Sequence, residues 1–217
     1  MIFDGTFLHR PVSIVGIMNA KTNTIIKGMY DVRENSEHQL SSFFMPLKAK
    51  GLSPLSCTTD GNPQSIKVIK RVWPNIITQR CVVHIQRQGL MWCRVNPKTS
   101  SARKLREIFV KATKIWTKED RNMFLKSVAD WEDKYGQLIT HKPEKGKVFS
   151  DIKRARSMLL KALPDMFHYI NNSDIPSTTN GIEGYFSRLK RNYRGHRGLA
   201  KTKRRDYFKW YFFLKPK

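Results

Sequence analysis

Cysteine, acid and long apolar runs are all scarce in this chain, and each scarcity removes a class of protein. The 217 residues include three cysteines, Cys57, Cys81 and Cys93, with no Cys-x-x-Cys pair among them. An odd and sparse set argues against a disulfide framework and fits a reducing cytoplasm. No apolar stretch approaches the roughly 20 residues that span a bilayer. The N-terminus has the mixed pattern of a strand rather than that of a signal peptide. No GxxxxGK(S/T) loop is present, so ATP is not expected as a cofactor. There is no internal repeat and no low-complexity region.

Acid is outnumbered most sharply. Asp and Glu total 17 against 41 Lys and Arg, a formal charge of +24 with a pI near 10.3. Neutralising phosphate with Lys and Arg drives nucleic-acid binding, which makes nucleic acid the first partner to expect. An anionic membrane surface comes second. Hydrophobic residues make up 40% of the chain and include twelve Phe and five Trp, so a sizeable core is available. That composition argues against disorder. The length suits one large domain, or one domain with an insertion.

The pattern along the chain reads as a mixed sheet followed by helices. Residues 2–8, 11–19 and 24–30 read as three consecutive strands, an antiparallel meander. Ser36 resembles an N-cap with Gln39 three residues on. Leu40, Phe43, Phe44 and Leu47 then follow at helical spacing up to Gly51. Residues 55–59 read as a strand, 64–73 as a helix with Ile66, Ile69 and Val72 on one face, and 76–83 as a strand. The order β-β-β-α-β-α-β describes an α/β fold whose later strands alternate with helices. From 100 to 171 the pattern is helical. Its apolar stripes are Leu105/Ile108/Phe109/Ala112/Ile115/Trp116, Phe124/Val128/Trp131/Tyr135 and Ile152/Ala155/Met158/Leu159/Ala162/Leu163. Gly136 and the stretch 143–146 separate the last two. Residues 1–99 are therefore expected to form the first part of the core, 100–171 a helical insertion, and 172–217 a final helix and a basic C-terminal segment. Ser177 to Asn180 would cap that helix.

The few acids sit in unusual places. Asp4 interrupts an apolar run, Ile2-Phe3-Asp4-Gly5-Thr6-Phe7-Leu8. A carboxylate there is costly to desolvate unless something pairs with it. It reads either as a mid-strand metal ligand or as an edge-strand Asp with a local hydrogen bond. Asp60, in Thr58-Thr59-Asp60-Gly61, ends a strand before a helix, where ligands gather in sheets with parallel character. It also suits an Asp-Gly turn or an N-cap. Glu183, in Asn180-Gly-Ile-Glu183, matches a capping box. Yet Ile182, Phe186, Leu189 and Tyr193 make the buried stripe of that helix. Glu183 then shares an adjoining face with Ser187, Lys190 and Arg194. Together the three acids can converge on hard, oxygen-loving divalent cations set against a polyanion.

This ordered set resembles the Mutator-type DDE transposases of bacterial insertion sequences, whose catalytic core has a ribonuclease H-like fold. The resemblance runs through Phe3-Asp4-Gly5-Thr6, Thr59-Asp60-Gly61, Cys81-Val82-Val83-His84 and Ser177-Thr-Thr-Asn-Gly-Ile-Glu183-Gly184. It continues in the basic runs Arg188-Leu-Lys-Arg191 and Gly195-His-Arg-Gly198, and covers nearly the whole chain. It implies that Asp4, Asp60 and Glu183 are catalytic and hold Mg²⁺ or Mn²⁺, as two ions. It also implies hydrolysis of a phosphodiester at a transposon end, followed by attack of the freed 3′ hydroxyl on target DNA. Cys81 and His84 match the family's Cys-x-x-His and would support the site from a strand end. From the residues alone they read equally well as a buried Cys and a core His.

Double-stranded DNA is the implied partner, bound by a homo-oligomer assembled on it in the bacterial cytoplasm at the nucleoid. The DNA contacts are expected from Arg188, Lys190, Arg191, Arg194, Arg197, Lys201, Lys203, Arg204 and Arg205. The aromatics of 207–213 read as a segment packed on the core, or as a stacking surface for bases. Such transposases usually carry a DNA-binding domain before the first catalytic Asp, and here that Asp is residue 4. The chain is therefore expected to be a fragment or the product of a truncated gene. A DNA-binding remnant without turnover, or a nuclease without strand transfer, are the alternative readings.

Overall fold

The computed structural model describes residues 1–9, 12–141, 147–196 and 198–217. The stretch 143–146, expected to separate two helices, lies outside the described residues, as do Pro11 and Arg197. In chain order the strands and helices are β1 (Ile2–His9), β2 (Val12–Asn19), β3 (Thr24–Val32), α1 (Glu37–Ala49), β4 (Ser56–Thr59), α2 (Pro63–Val72) and β5 (Ile77–Arg80). There follow α3 (Val82–Cys93), α4 (Ser100–Lys111), α5 (Lys118–Trp131), α6 (Gln137–His141), α7 (Lys147–Ala162), α8 (His168–Asn171), α9 (Asn180–Tyr193) and α10 (Lys201–Leu214). They fold as two compact units, one of residues 1–79 with 172–217 and one of residues 80–171.

The first unit carries a mixed five-stranded sheet in the order β3-β2-β1-β4-β5. The meander β1-β2-β3 is antiparallel, and β1 pairs with β4 in parallel, Ile2 opposite Thr58. Alternation along the strands splits two cores between the faces. On one face Phe3, Val15 and Ile17 pack with Leu40, Phe43 and Phe44 of α1 and Val68, Ile69 and Val72 of α2. The Phe3 and Phe44 rings lie 5.0 Å apart. On the other face Ile2, Ile14, Met18 and Ile25 pack with Ile182, Tyr185, Phe186 and Leu189 of α9 and Phe208, Tyr211 and Phe212 of α10. Each such side chain contributes about 1.5–3 kcal/mol by leaving water.

Local chemistry sets the element ends. Ser36 caps α1 by accepting the Gln39 N–H. The Gln39 side chain accepts the Arg33 N–H instead of returning to Ser36, so the expected box is half formed. Asn62 caps α2 ahead of Pro63 at its first turn. The exposed edge of β3 is covered by α10, and the Ile25 N–H donates to the Pro216 carbonyl at 2.7 Å. Covering an edge in this way removes a template for unwanted strand pairing.

The second unit is helical, with α3, α4, α5 and α7 around one apolar core. The expected stripes are buried at Leu105, Ile108, Phe109, Ala112, Ile115, Phe124, Val128, Trp131, Ile152, Ala155, Leu159 and Ala162. Trp116 departs from its stripe. Helix α4 ends at Lys111, and Trp116 sits exposed before the Thr117 cap of α5, edge-on to Tyr169. The segment 100–171 falls wholly within this unit, which also takes in α3. The expected strand 76–83 is shorter than its β-branched run suggests. It stops at Arg80, and Val82 and Val83 begin α3.

Candidate metal centre and nucleic-acid interface

Asp4 lies in the middle of the central strand, not on an edge, and is 5% exposed. Its Oδ1 accepts the Gly5 N–H at 2.8 Å. Across the antiparallel ladder its partner is Gly16, and a side chain there would press on Ile182 and Phe186. Helix α9 therefore approaches closely over the row that holds Asp4. Alternation places Asp4 on the α9 face, with Ile2 and Thr6.

Asp60 follows β4 directly. The parallel register of Ile2 with Thr58 carries Asp60, just past the end of β4, to the level of Asp4. Its Oδ1 accepts the Asn62 N–H at 3.0 Å and lies 3.3 Å from the Thr59 hydroxyl. The turn reading of Asp60 is thus realised, whereas the cap of α2 belongs to Asn62.

Glu183 sits in the first turn of α9, half-buried. The N-cap is Thr179 rather than Asn180, and it makes no side-chain cap bond. The capping box that could have explained Glu183 is not formed. Instead the Thr179 hydroxyl donates to Glu183 Oε1 at 2.8 Å. The buried stripe of α9 is the expected one, with Tyr185 added. Two turns on from Glu183, Lys190 is half-buried. Burial pulls its ammonium below the ordinary Lys value, and Asp4 works against that pull. The Asp4 charge therefore reaches the α9 face that carries Glu183.

Glu34 is a further half-buried acid of the sheet unit, in the turn between β3 and α1. Its carboxyl group occupies the space that a side chain at Gly5 would need. Burial pushes it above the usual Glu range; the Ser13 hydroxyl opposes that shift and the Asp60 charge adds to it. Glu34 is not among the residues that the sequence singles out. The signal available was Gly5, since a glycine inside a strand marks a close approach.

Cys81 is buried as the N-cap of α3, with no side-chain cap bond, and its thiol is not in a disulfide. His84 lies on the first turn of that helix, so the pair starts a helix rather than ending a strand. Both belong to the helical unit. Burial pushes the Cys57 and Cys93 thiols up to about 12, far from thiolate chemistry.

The basic residues after Glu183 differ in how far the protein itself engages them. Arg188, Arg191, Arg194, Lys201 and Lys203 are exposed. Arg204 donates to the Leu199 carbonyl, and Arg205 holds Asp31 at 2.7 Å with Lys201 at 3.5 Å. The Arg205 hydrogen bond keeps the Asp31 carboxyl below its usual range. Arg197 lies outside the described residues. Of the terminal aromatics, Phe208, Tyr211 and Phe212 are buried against the sheet, while Trp210 and Phe213 are exposed. Among the described residues no helix is long and apolar enough to cross a membrane.

No curated protein matches the chain. The family model described as "Transposase, Mutator family" matches it over residues 4–199, which include all three expected catalytic acids.

Proposed function

The chain belongs to the Mutator family of transposases, and from that membership we propose that it is a DNA-cutting and DNA-joining catalytic core. The observation that supports this reading is that Asp60, just past the end of β4, lies level with Asp4 on the parallel strand β1, and that Asp4 faces the helix that bears Glu183. The sheet order β3-β2-β1-β4-β5, with an antiparallel meander and a parallel fourth strand, supports a ribonuclease H-like core.

The donor set suits a hard divalent cation. All three groups are carboxylates, and Asp4 is buried in an apolar strand where its charge is costly alone. Asp4, Asp60 and Glu183 would hold Mg²⁺ or Mn²⁺, as two ions. Such ions, when bound, supply Lewis-acid polarisation of phosphate and a nucleophile at neutral pH. The protein's own groups do the positioning. The Asn62 N–H fixes one oxygen of Asp60, and the Thr179 hydroxyl orients Glu183. Arg188, Arg191 and Arg194 take phosphates of double-stranded DNA and set the register of the strand. Water attacks the phosphorus at the element end, and the P–O3′ bond breaks to leave a 3′ hydroxyl and a 5′ phosphate. That hydroxyl then attacks a target phosphate, displacing the target's own 3′ oxygen. Both ends of an element must be joined, which favours a homo-oligomer assembled on the DNA.

The test is cleavage of labelled linear DNA with Mg²⁺ or Mn²⁺ by the wild type, Asp60→Ala and Glu183→Gln. Removing a ligand should lower cleavage at least about a hundredfold in both variants. Cleavage without joined products would reduce the protein to a nuclease. Equal DNA binding by all three proteins with no cleavage would sink the catalytic reading.

A further inference from the structure

Helix α10 begins past residue 199, where the family match ends, and it leaves an aromatic face uncovered. Phe208, Tyr211 and Phe212 are buried, while Trp210 is 56% exposed and Phe213 74%. The Trp210 and Phe213 rings meet edge to face at 6.0 Å. Beside Trp210 an open cleft of about 580 Å³ lies between α10 and the end of α9. Asn192, His196, Tyr207, Trp210, Tyr211 and Lys215 line it, and among the described residues no carboxylate does. The His196 and Tyr207 rings lie 5.0 Å apart, and Tyr207 is tilted 31° from Tyr211 at 6.1 Å. The Asn192 amide donates to the Tyr211 hydroxyl at 3.1 Å. The Lys215 ammonium sits 5.9 Å over the Tyr211 ring.

An uncovered apolar face marks a binding site, and the charge around this one decides what it can take. Asp206 is the only acid of α10, against Lys201, Lys203, Arg204, Arg205 and Lys209. On α9, Arg188 and Asn192 are four residues apart and share a face. That face runs from the exposed Arg188 to the cleft. A second copy docked on the same face would bring like charges together, and lysine is depleted at the heart of protein interfaces. A polyanion meets no such cost. Inside a duplex, each base face is covered by its neighbours. An exposed ring therefore stacks on a base that has left the helix or never belonged to one.

We propose that the Trp210 cleft takes an unpaired base of a single-stranded DNA segment adjoining the duplex held by α9. Trp210 stacks on the base, and Tyr207 and His196 form the wall beside it. Asn192 and Lys215 offer hydrogen bonds to the base edge and to the adjoining phosphate. The proposal rests on the DNA reading given above for its duplex-holding face. It adds a substrate class to that reading, DNA that carries a single-stranded tail next to its paired part.

Binding measured without divalent metal on two labelled probes tests it. One is a blunt duplex, the other the same duplex with a single-stranded tail carrying 2-aminopurine, whose fluorescence is quenched by stacking. The wild type should bind the tailed probe about tenfold more tightly than the blunt one and quench the tail. Trp210→Ala should lose that tenfold and the quenching while holding the blunt duplex as before. Trp210→Phe keeps a ring and should retain most of both. Arg188→Ala should weaken binding of the two probes equally. Survival of the tail's advantage and of its quenching in Trp210→Ala overturns the proposal. A DNA-free wild-type dimer that Trp210→Ala dissociates in sedimentation also overturns it, because the face then belongs to a second copy. Equal wild-type affinity for the two probes overturns this proposal alone, and binding to neither overturns the DNA reading with it. Absent cleavage with the tail still bound sinks the catalytic reading and leaves the Trp210 cleft standing.

Discussion

The Thr179 hydroxyl donates a 2.8 Å hydrogen bond to Glu183 Oε1, from the N-cap of α9 into its first turn. Thr179 is fully buried, so this bond is shielded from water. It is a direct contact that orients the Glu183 carboxylate. Thr179→Val keeps the shape and removes the donor. Stability should fall by about 1 kcal/mol. Metal-dependent cleavage should fall about tenfold, with DNA affinity unchanged. Thermal melting, DNA titration and cleavage kinetics on the same preparation check this, and an unchanged cleavage rate would show that Glu183 needs no such support.

The Asp31 pair makes a prediction about pH. Asp31 is held below the usual carboxylate range, first by the Arg205 hydrogen bond. A depressed folded-state pKa stabilises the protein above the unfolded value, near 3.9. That contribution is lost as pH falls through the folded value. The Tm difference between the wild type and Asp31→Asn should therefore be steady from neutrality to about pH 4 and close below it. Asn is the suitable replacement because residue 31 has φ +69°, which Asn tolerates.

Arginines that face solvent and arginines tied to the protein should differ in DNA binding. Replacing Arg188, Arg191 or Arg194 with Ala should weaken binding on every sequence and reduce the salt slope by about one unit each. Arg205→Ala, whose guanidinium is already engaged by Asp31, should change the slope less. Equal slopes for all four variants would remove α9 from the DNA-binding surface.

In the helical unit, Arg156 grips both oxygens of Glu132 at the start of a π-helical turn, and both side chains are largely shielded. Lys cannot reproduce that planar fork. Arg156→Lys should cost about 1 kcal/mol, and Arg156→Met roughly 2–3 because it strands the carboxylate. Denaturant melts resolve both.

The sequence announced some elements loudly and others not at all, for local reasons. Ser36 and the aromatic stripe Leu40-Phe43-Phe44 carry their helix in a dozen residues, because cap and core lie on the same element. The start of α3 was hidden. Its N-cap is a cysteine that makes no cap bond, and Val82-Val83 extend the β-branched look of the strand before it. Asp4 and Asp60 were legible as anomalies, an acid in an apolar strand and an acid at a strand end. Their adjacency depends on a parallel pairing between β1 and β4 that no local pattern encodes. Glu34 was invisible for the same reason. In Arg33-Glu34-Asn35-Ser36 it is one polar turn residue among others, and only the fold lays it across Gly5.

The sheet unit is interrupted in sequence, and this orders events on the ribosome. The whole sheet, with Asp4 and Asp60, is made by residue 80, while the helices that cover Ile14, Met18 and Ile25 come after residue 171. A nascent chain therefore presents a naked apolar sheet face throughout synthesis of the helical unit, a natural client for a chaperone. Glu183, the last of the three expected catalytic acids, arrives with α9, one of the two helices that close the face.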